Sequence, residues 1–293
     1  MLTVILQQGI NGIVVGSLYV LVAVGLTLIY GVLVQINFAH ADIVTVGAFV
    51  AYFITHWLSG NYFAGIAAAF IVGAAFGWLM NAAIFVPLRN RSNELLPLIA
   101  TIGVSIMLQN AMLILLGPIP YSFDTPYSNQ VIRLGGTFFT VQNALIVLVS
   151  AVTIAVLYAF MKFTFLGKAL RAVSQDRETA GLMGINPNHV IMLTFVIASA
   201  LAGMGGAMLG PVLVLTPFAG TSVIVKAFAI VIIGGFGNVE GTIIAGLIVG
   251  LIESYTTQFL DPGLIDIVVF ALLLLTLAVR PTGLIAERRE ENV

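Results

Sequence analysis

Long apolar runs, separated by short polar or glycine- and proline-bearing breaks, set the rhythm of this chain. The runs lie near residues 9–30, 41–57, 62–86, 97–117, 142–162, 189–210, 221–236, 241–259 and 263–279, and they predict helices whose length suits a hydrocarbon core about 30 Å thick. The segments at 41–57 and 221–236 are the weak ones, and the pattern leaves open whether they cross fully or half-way. Two interruptions stand out. Pro118 to Val141 carries Pro118, Pro120, Pro126, Gly135 and Gly136 with Asp124 and Arg133, and reads as turns with a short amphipathic piece. As a connector it needs no further role; the alternative is a docking surface for a soluble partner. The other break, Lys168 to Pro187, turns abruptly polar. There Leu170, Val173, Arg177 and Ala180 recur at helical spacing, which predicts one short helix weakened by Gly181 and Gly184 and stopped by Pro187.

Composition turns this pattern into a membrane assignment. The chain is 60% hydrophobic and 8% charged with mean hydropathy +1.12, whereas about a quarter of residues are charged in soluble domains. Residues 1–293 read as a single integral membrane domain solvated by lipid. A net charge of -1 without a basic tail argues against nucleic acid as a partner. With no cysteine, thiol catalysis and cysteine-ligated metal are excluded. Met1 to Gln8 has no Lys or Arg, so the first run lacks the basic start of a cleaved leader and reads as a retained span.

Charge then orients the spans. Arg89 and Arg91 fall in one loop, Lys162, Lys168, Arg171 and Arg177 in or beside a second, and Arg280, Arg288 and Arg289 in the tail 280–293. These are nine of the eleven basic residues, so the three regions are expected in the cytoplasm. Two predicted spans separate the first basic loop from the second, and four separate the second from the tail, so the even counts close. The N-terminus and the loop at about 118–141 then lie outside.

Glycines recur four apart at Gly12/Gly16, Gly73/Gly77, Gly206/Gly210 and Gly246/Gly250, the spacing of close helix packing rather than of a substrate site. Buried polar groups say more, because a charge at the bilayer centre costs about 2.5–3.5 kcal/mol even on the lenient insertion scale. Two clusters join a helix break to an Asn and an acid: Gln35-Ile-Asn37-Phe-Ala-His40-Ala-Asp42, and Gly234-Gly-Phe-Gly237-Asn238-Val-Glu240-Gly241. Either they are non-helical backbone lining a polar cavity, or turns whose Asn and acid cap the next helix. Asn37, His40, Asp42, Asn238 and Glu240 are therefore the candidates for a translocation path. A proton relay through His40 and Asp42 is less favoured than capping, and with no third ligand nearby they do not suggest a metal site.

Lys226 and Asp266 lie close enough to span ends to snorkel. Glu253 needs a buried partner or a place near the outer interface. Gln109, Asn110, Gln142 and Asn143 could line a path, though such amides more often bond between helices. No phosphate loop, dinucleotide fingerprint or His-Glu-x-x-His occurs. Active transport would then draw on an ion gradient or a separate ATPase. The sequon at Asn90-Arg-Ser92 falls in a predicted cytoplasmic loop.

The stretch Gly167-Lys-Ala-Leu-Arg171 through Ser174-Gln-Asp176-Arg177-Glu178 to Gly184-Ile-Asn186 resembles the cytoplasmic coupling segment of LivH-type permeases, from branched-chain amino acid ABC importers. Three further stretches agree: Asn11 to Gly31 with Ile36 to Asp42, Gly234 to Glu253, and Arg280-Pro-Thr-Gly283-Leu284. Ala41 departs from the family's usual glycine and Glu240 from its common proline. The resemblance covers essentially the whole chain. It implies an all-α, polytopic bundle of about eight or nine spans like the permeases of type II importers, in a bacterial cytoplasmic (inner) membrane. It further implies a second, related permease, two cytoplasmic ATPases and a periplasmic or extracellular solute-binding protein delivering Leu, Ile or Val. ATP would reside on the partner subunits, with no cofactor in this chain and no chemistry catalysed by it. The coupling segment, about 163–188, would meet the ATPase through Arg171, Gln175, Asp176, Arg177, Glu178 and Gly184. Alternatives are an ABC permease for urea or short amides, and an ion-coupled transporter or channel using Asp42, Glu240 or Glu253. An intramembrane enzyme is disfavoured by the missing nucleophile and metal constellations.

Overall fold

A computed structural model describes residues 1–88 and 95–285. Each of the nine apolar runs forms a helix, because in lipid the helix satisfies every backbone polar group within its own segment. In chain order these are α1 (Leu2–Leu33), α2 (His40–Trp57), α3 (Tyr62–Leu88, with a π-turn at Asn81–Phe85) and α4 (Leu95–Leu116), followed by α5 (Val141–Phe163). After the polar helices α6 (Phe165–Gln175) and α7 (Arg177–Leu182) come α8 (Pro187–Leu209), α9 (Ala219–Gly234), α10 (Val239–Phe259) and α11 (Ile265–Val279).

Among the described residues seven helices are long and apolar enough to cross a membrane, and of the nine apolar runs the two that are not are α2 and α9. They are the segments the pattern left undecided, and the packing shows how they sit. His40, the first residue of α2, donates from Nε2 to Val22 O (3.2 Å) and lies against Gly25. Since α1 runs on to Leu33, α2 starts beside the middle of α1, and Val34 to Ala39 turns back into the bundle. The N-terminus of α9 meets α2 there: the Gly220 N–H donates to Thr45 Oγ1 (2.8 Å), and Gly220 faces the Ala41 carbonyl.

Helices α1 and α8 form the centre, with α2, α3 and α10 packed on them and α4, α5 and α11 outside. The glycines make this possible. A Cβ on Gly250 would stand 2.3 Å from Gly16 Cα, and one on Gly206 would stand 1.9 Å from the Val44 carbonyl oxygen. Without a hydrophobic drive between helices in lipid, such close backbone approach supplies the attraction.

One sequence expectation is sharpened and one corrected. In the loop after α4, read as turns with a short amphipathic piece, β1 (Val131–Leu134) and β2 (Thr137–Thr140) pair antiparallel as a hairpin. Gly135 and Gly136 turn it with φ of 56° and 88°, which glycine adopts without steric penalty. The polar segment is not one helix but two, because the Asp176 carboxylate accepts the Glu178 and Thr179 N–H groups (2.9 and 3.0 Å). That capping competes with helix continuation and restarts the chain as α7. Arg89, Arg91, the sequon at Asn90, Arg288 and Arg289 lie outside the described residues.

Candidate functional site

The polar segment is built by caps. Thr164 accepts the Gly167 N–H (3.0 Å) to open α6, Asp176 opens α7, and Asn186 accepts the Asn188 and His189 N–H groups to open α8. Ala169, Leu170, Val173 and Ala180 are buried against the bundle, so the face at helical spacing is an anchoring face. Arg177 Nη2 donates to Asn188 Oδ1 (3.2 Å), whereas Gln175 and Glu178 project into open space. Hydrogen bonds from the Thr179 hydroxyl and N–H hold the Asp176 carboxyl below the usual carboxylate range. Gly184, at φ 85°, forms the turn between α7 and α8 with nothing within 4 Å of its missing Cβ. Beside it stand Leu182, 88% exposed, and Met183, 79% exposed. Sequence reasoning passed over these two: an apolar pair at the tip of a polar segment was the available signal.

Arg171 points elsewhere. With Lys162, Ser174, Asn238 and Glu240 it lines a cavity of about 380 Å³ enclosed by the ends of α1 and α5, by α6 and by the start of α10. Gly235 and Gly237, at φ 106° and 79°, fold the turn that brings Asn238 and Glu240 there. Asn238 caps α10 by accepting the Gly241 N–H (2.8 Å), and Glu240 occupies the first helical turn. Of the two sequence alternatives for this cluster, capping holds for Asn238 while the cavity also exists. Among the described residues the one ion pair within 4.0 Å is elsewhere, so Lys162, Arg171 and Glu240 face the cavity without an opposite charge in contact.

The first cluster is arranged differently. Asn37 and His40 are fully buried and Asp42 nearly so, and none lines that cavity. Neither Asn37 nor Asp42 caps α2: its N-cap is Ala39, with no side-chain bond. Gln109 on α4 donates to Asp42 Oδ1 (3.0 Å), one of the expected interhelical amide bonds. Among the described residues, both polar atoms of Asn37, His40 Nδ1 and Asp42 Oδ2 find no hydrogen-bond partner. Among the described residues no group of three or more His, Asp or Glu is placed to hold a metal.

Lys226 does not snorkel. Its Nζ donates to Glu253 Oε1 (2.7 Å) and to the Tyr19 hydroxyl (3.1 Å), tying α9 to α10 and α1. Glu253 thereby finds a partner, with both side chains part-buried. Gln142 donates to the Tyr62 hydroxyl (3.0 Å) and accepts from Thr125, joining α5 to α3 and to the loop after α4.

A polytopic bundle with deep polar breaks, a charged end cavity and a capped polar helix pair is a membrane transport subunit rather than a receptor with one anchoring span. The family described as branched-chain amino acid transport system, permease component, matches residues 9–277, and the chain belongs to it. It is 36% identical to the permease protein LivH of the high-affinity branched-chain amino acid transport system of Escherichia coli (strain K12), over 98% of this chain and 97% of that one. To the corresponding BraD of Pseudomonas aeruginosa it is 34% identical over 98% of each chain. It is also 24% identical to the LivM permease of Salmonella typhimurium, over 94% of this chain and 69% of that one. No solved structure is a significant match.

Proposed function

We propose that this LivH-type chain works as one of two related permeases in an ABC importer of leucine, isoleucine and valine, in the cytoplasmic membrane of a bacterium, with the α6–α7 segment as its ATPase contact. The observation that carries the coupling role is the tip at Leu182 and Met183: two apolar side chains held out beside the polar Gln175 and the charged Asp176, Arg177 and Glu178 on capped helices. A segment needed only for topology would use basic residues alone; apolar anchors ringed by both charge signs suit a protein contact. Two ATPases, closing on ATP, would push this segment and its counterpart on the second permease, while a solute-binding protein delivers substrate at the hairpin end. The family resemblance carries with it the permease class of type II importers.

Converting both Leu182 and Met183 to Asp should abolish co-purification of the ATPase and substrate uptake together. Uptake persisting after the ATPase is lost would instead indicate an ion-coupled carrier. Substrate is tested by reconstituting the complex with its cognate binding protein; uptake of urea without uptake of leucine would overturn the amino acid assignment.

A further inference from the structure

The charged cavity at the start of α10 does not end blindly. At Tyr158 it adjoins a second hollow, which shares Ile13, Val147 and Ala151 with a third; that one shares Phe139 and Asn143 with a fourth near the chain start. Shared lining residues thus set the four hollows in a row, a groove that follows α1 and α5 and is joined by α10 in all but the third, from Thr3 at one end to Val32 at the other. At 1.5 Å rise per residue this is about 44 Å, the depth of a bilayer with its headgroup regions.

The groove changes character along its length as an amphipathic solute requires. At the hairpin end it is edged by amides: Gln7 donates to Asn11 Oδ1 (3.2 Å) and Gln8 to Gln258 Oε1 (2.8 Å). The hollow beside Tyr158 is otherwise aliphatic apart from Ser17, whose hydroxyl is spent on the Ile13 carbonyl (2.7 Å). The far end carries Glu240 opposite Lys162 and Arg171, none of them in an ion pair. That cavity is also walled by Leu170, Arg171 and Ser174 of α6, so any displacement of α6 reshapes it directly.

We propose that this groove is the present chain's wall of the passage, and that the cavity at its inner end binds the zwitterionic head of the departing amino acid. Glu240 accepts the ammonium and Lys162 with Arg171 receive the carboxylate, while the aliphatic side chain rests in the hollow beyond Tyr158. The second permease supplies the facing wall. This rests on the importer reading above. It separates the path from the Asn37–His40–Asp42 cluster, which none of these four hollows reaches. Arg171 thereby becomes a path residue carried on the coupling helix, and the helix moved by the ATPase is the one that opens the inner binding site.

The chain has no cysteine, so single cysteines can be introduced without background. Ala151→Cys and Ala155→Cys in the groove are compared with Leu274→Cys, which is exposed on the outside of α11. In the assembled complex with its ATPases and second permease, a charged, water-soluble thiol reagent should modify both groove positions, since thiolate forms only where water reaches. Leu274→Cys should stay unmodified. Leucine on the ATPase side should slow modification at Ala155→Cys, and adding Glu240→Gln should raise the leucine concentration needed by about tenfold. Groove positions as inert as Leu274→Cys, in a complex that still imports leucine, would overturn the path assignment and leave the importer reading intact. Protection by leucine unaltered by Glu240→Gln would overturn the inner binding site. Modification protected by added anionic phospholipid but not by leucine would make the groove a lipid seat. A parent complex that imports no amino acid would refute the importer reading itself.

Discussion

Helices α1 and α11 are almost equally apolar, with mean hydropathy 2.4 and 2.5, yet 89% of the first hydrophobic stretch is buried in protein and only 6% of the last. Hydropathy registers that a segment leaves water; it is silent on whether protein or lipid replaces the water. What separates the two is small residues and hydroxyls. Helix α1 carries Gly12 and Gly16, which meet Leu251 and Gly246 of α10, and Thr27, whose hydroxyl bonds that of Thr242 (2.7 Å). Helix α11 carries a run of leucines, of which Leu274 and Leu275 are more than 60% exposed.

The contrast can be broken most forcefully at the glycine seam. Gly250→Leu places a side chain where α1 backbone lies 2.3 Å from the Cβ position, which should cost more than about 4 kcal/mol and leave no monodisperse protein after detergent extraction. Next comes the part-buried ion pair. Lys226→Met strands the Glu253 carboxylate between α9 and α10 and should lower stability by about 3–5 kcal/mol, read as loss of melting temperature, whereas Lys226→Met with Glu253→Leu should recover most of it. On the lipid-facing side, Leu274→Ala should change stability by less than about 0.5 kcal/mol, and a loss comparable to that of Gly250→Leu would void the comparison.

The smallest effect belongs to the polar segment. Asp176→Ala should speed amide exchange at Glu178 and Thr179 severalfold without altering the spans. The cap has a pH signature with a definite sign. A depressed carboxylate pKa stabilises α7 in full at neutral pH, and that contribution is lost as pH falls through the depressed value, below the ordinary carboxylate range. Exchange protection at Thr179 that is unchanged into that acid range would contradict the assigned cap.

Much of the bundle was legible because membrane helices announce themselves by length and apolar content, and all nine runs became helices. The glycine pairs were legible as packing for the same reason. The hairpin was missed although Gly135-Gly136 between Val131-Ile132 and Phe138-Phe139 is a hairpin signal, because the prolines before it suggested irregular turns. The break at Asp176 was obscured by helical spacing that continues across it from Val173 to Ala180; a cap in mid-pattern changes the backbone without disturbing which residues are apolar. The Lys226–Glu253 contact joins residues 27 apart on neighbouring helices, and no local pattern encodes such a meeting. The cavity uniting Arg171 with Glu240 depends likewise on how α6 folds back beneath α1 and α5.

The inward starts of α2 and α9 bear on how the chain is made. Seven segments have the length and apolarity to enter lipid as independent units during synthesis. Helix α9 spans 16 residues and α2 opens with His40 and Asp42, so neither is a good insertion unit by itself. They meet where the Gly220 amide finds Thr45, 175 residues earlier, which requires α9 to have been synthesised. The final docking of these two is thus a late folding step inside the membrane, and the bundle cannot close around Asn37 and His40 until most of the chain has emerged from the ribosome.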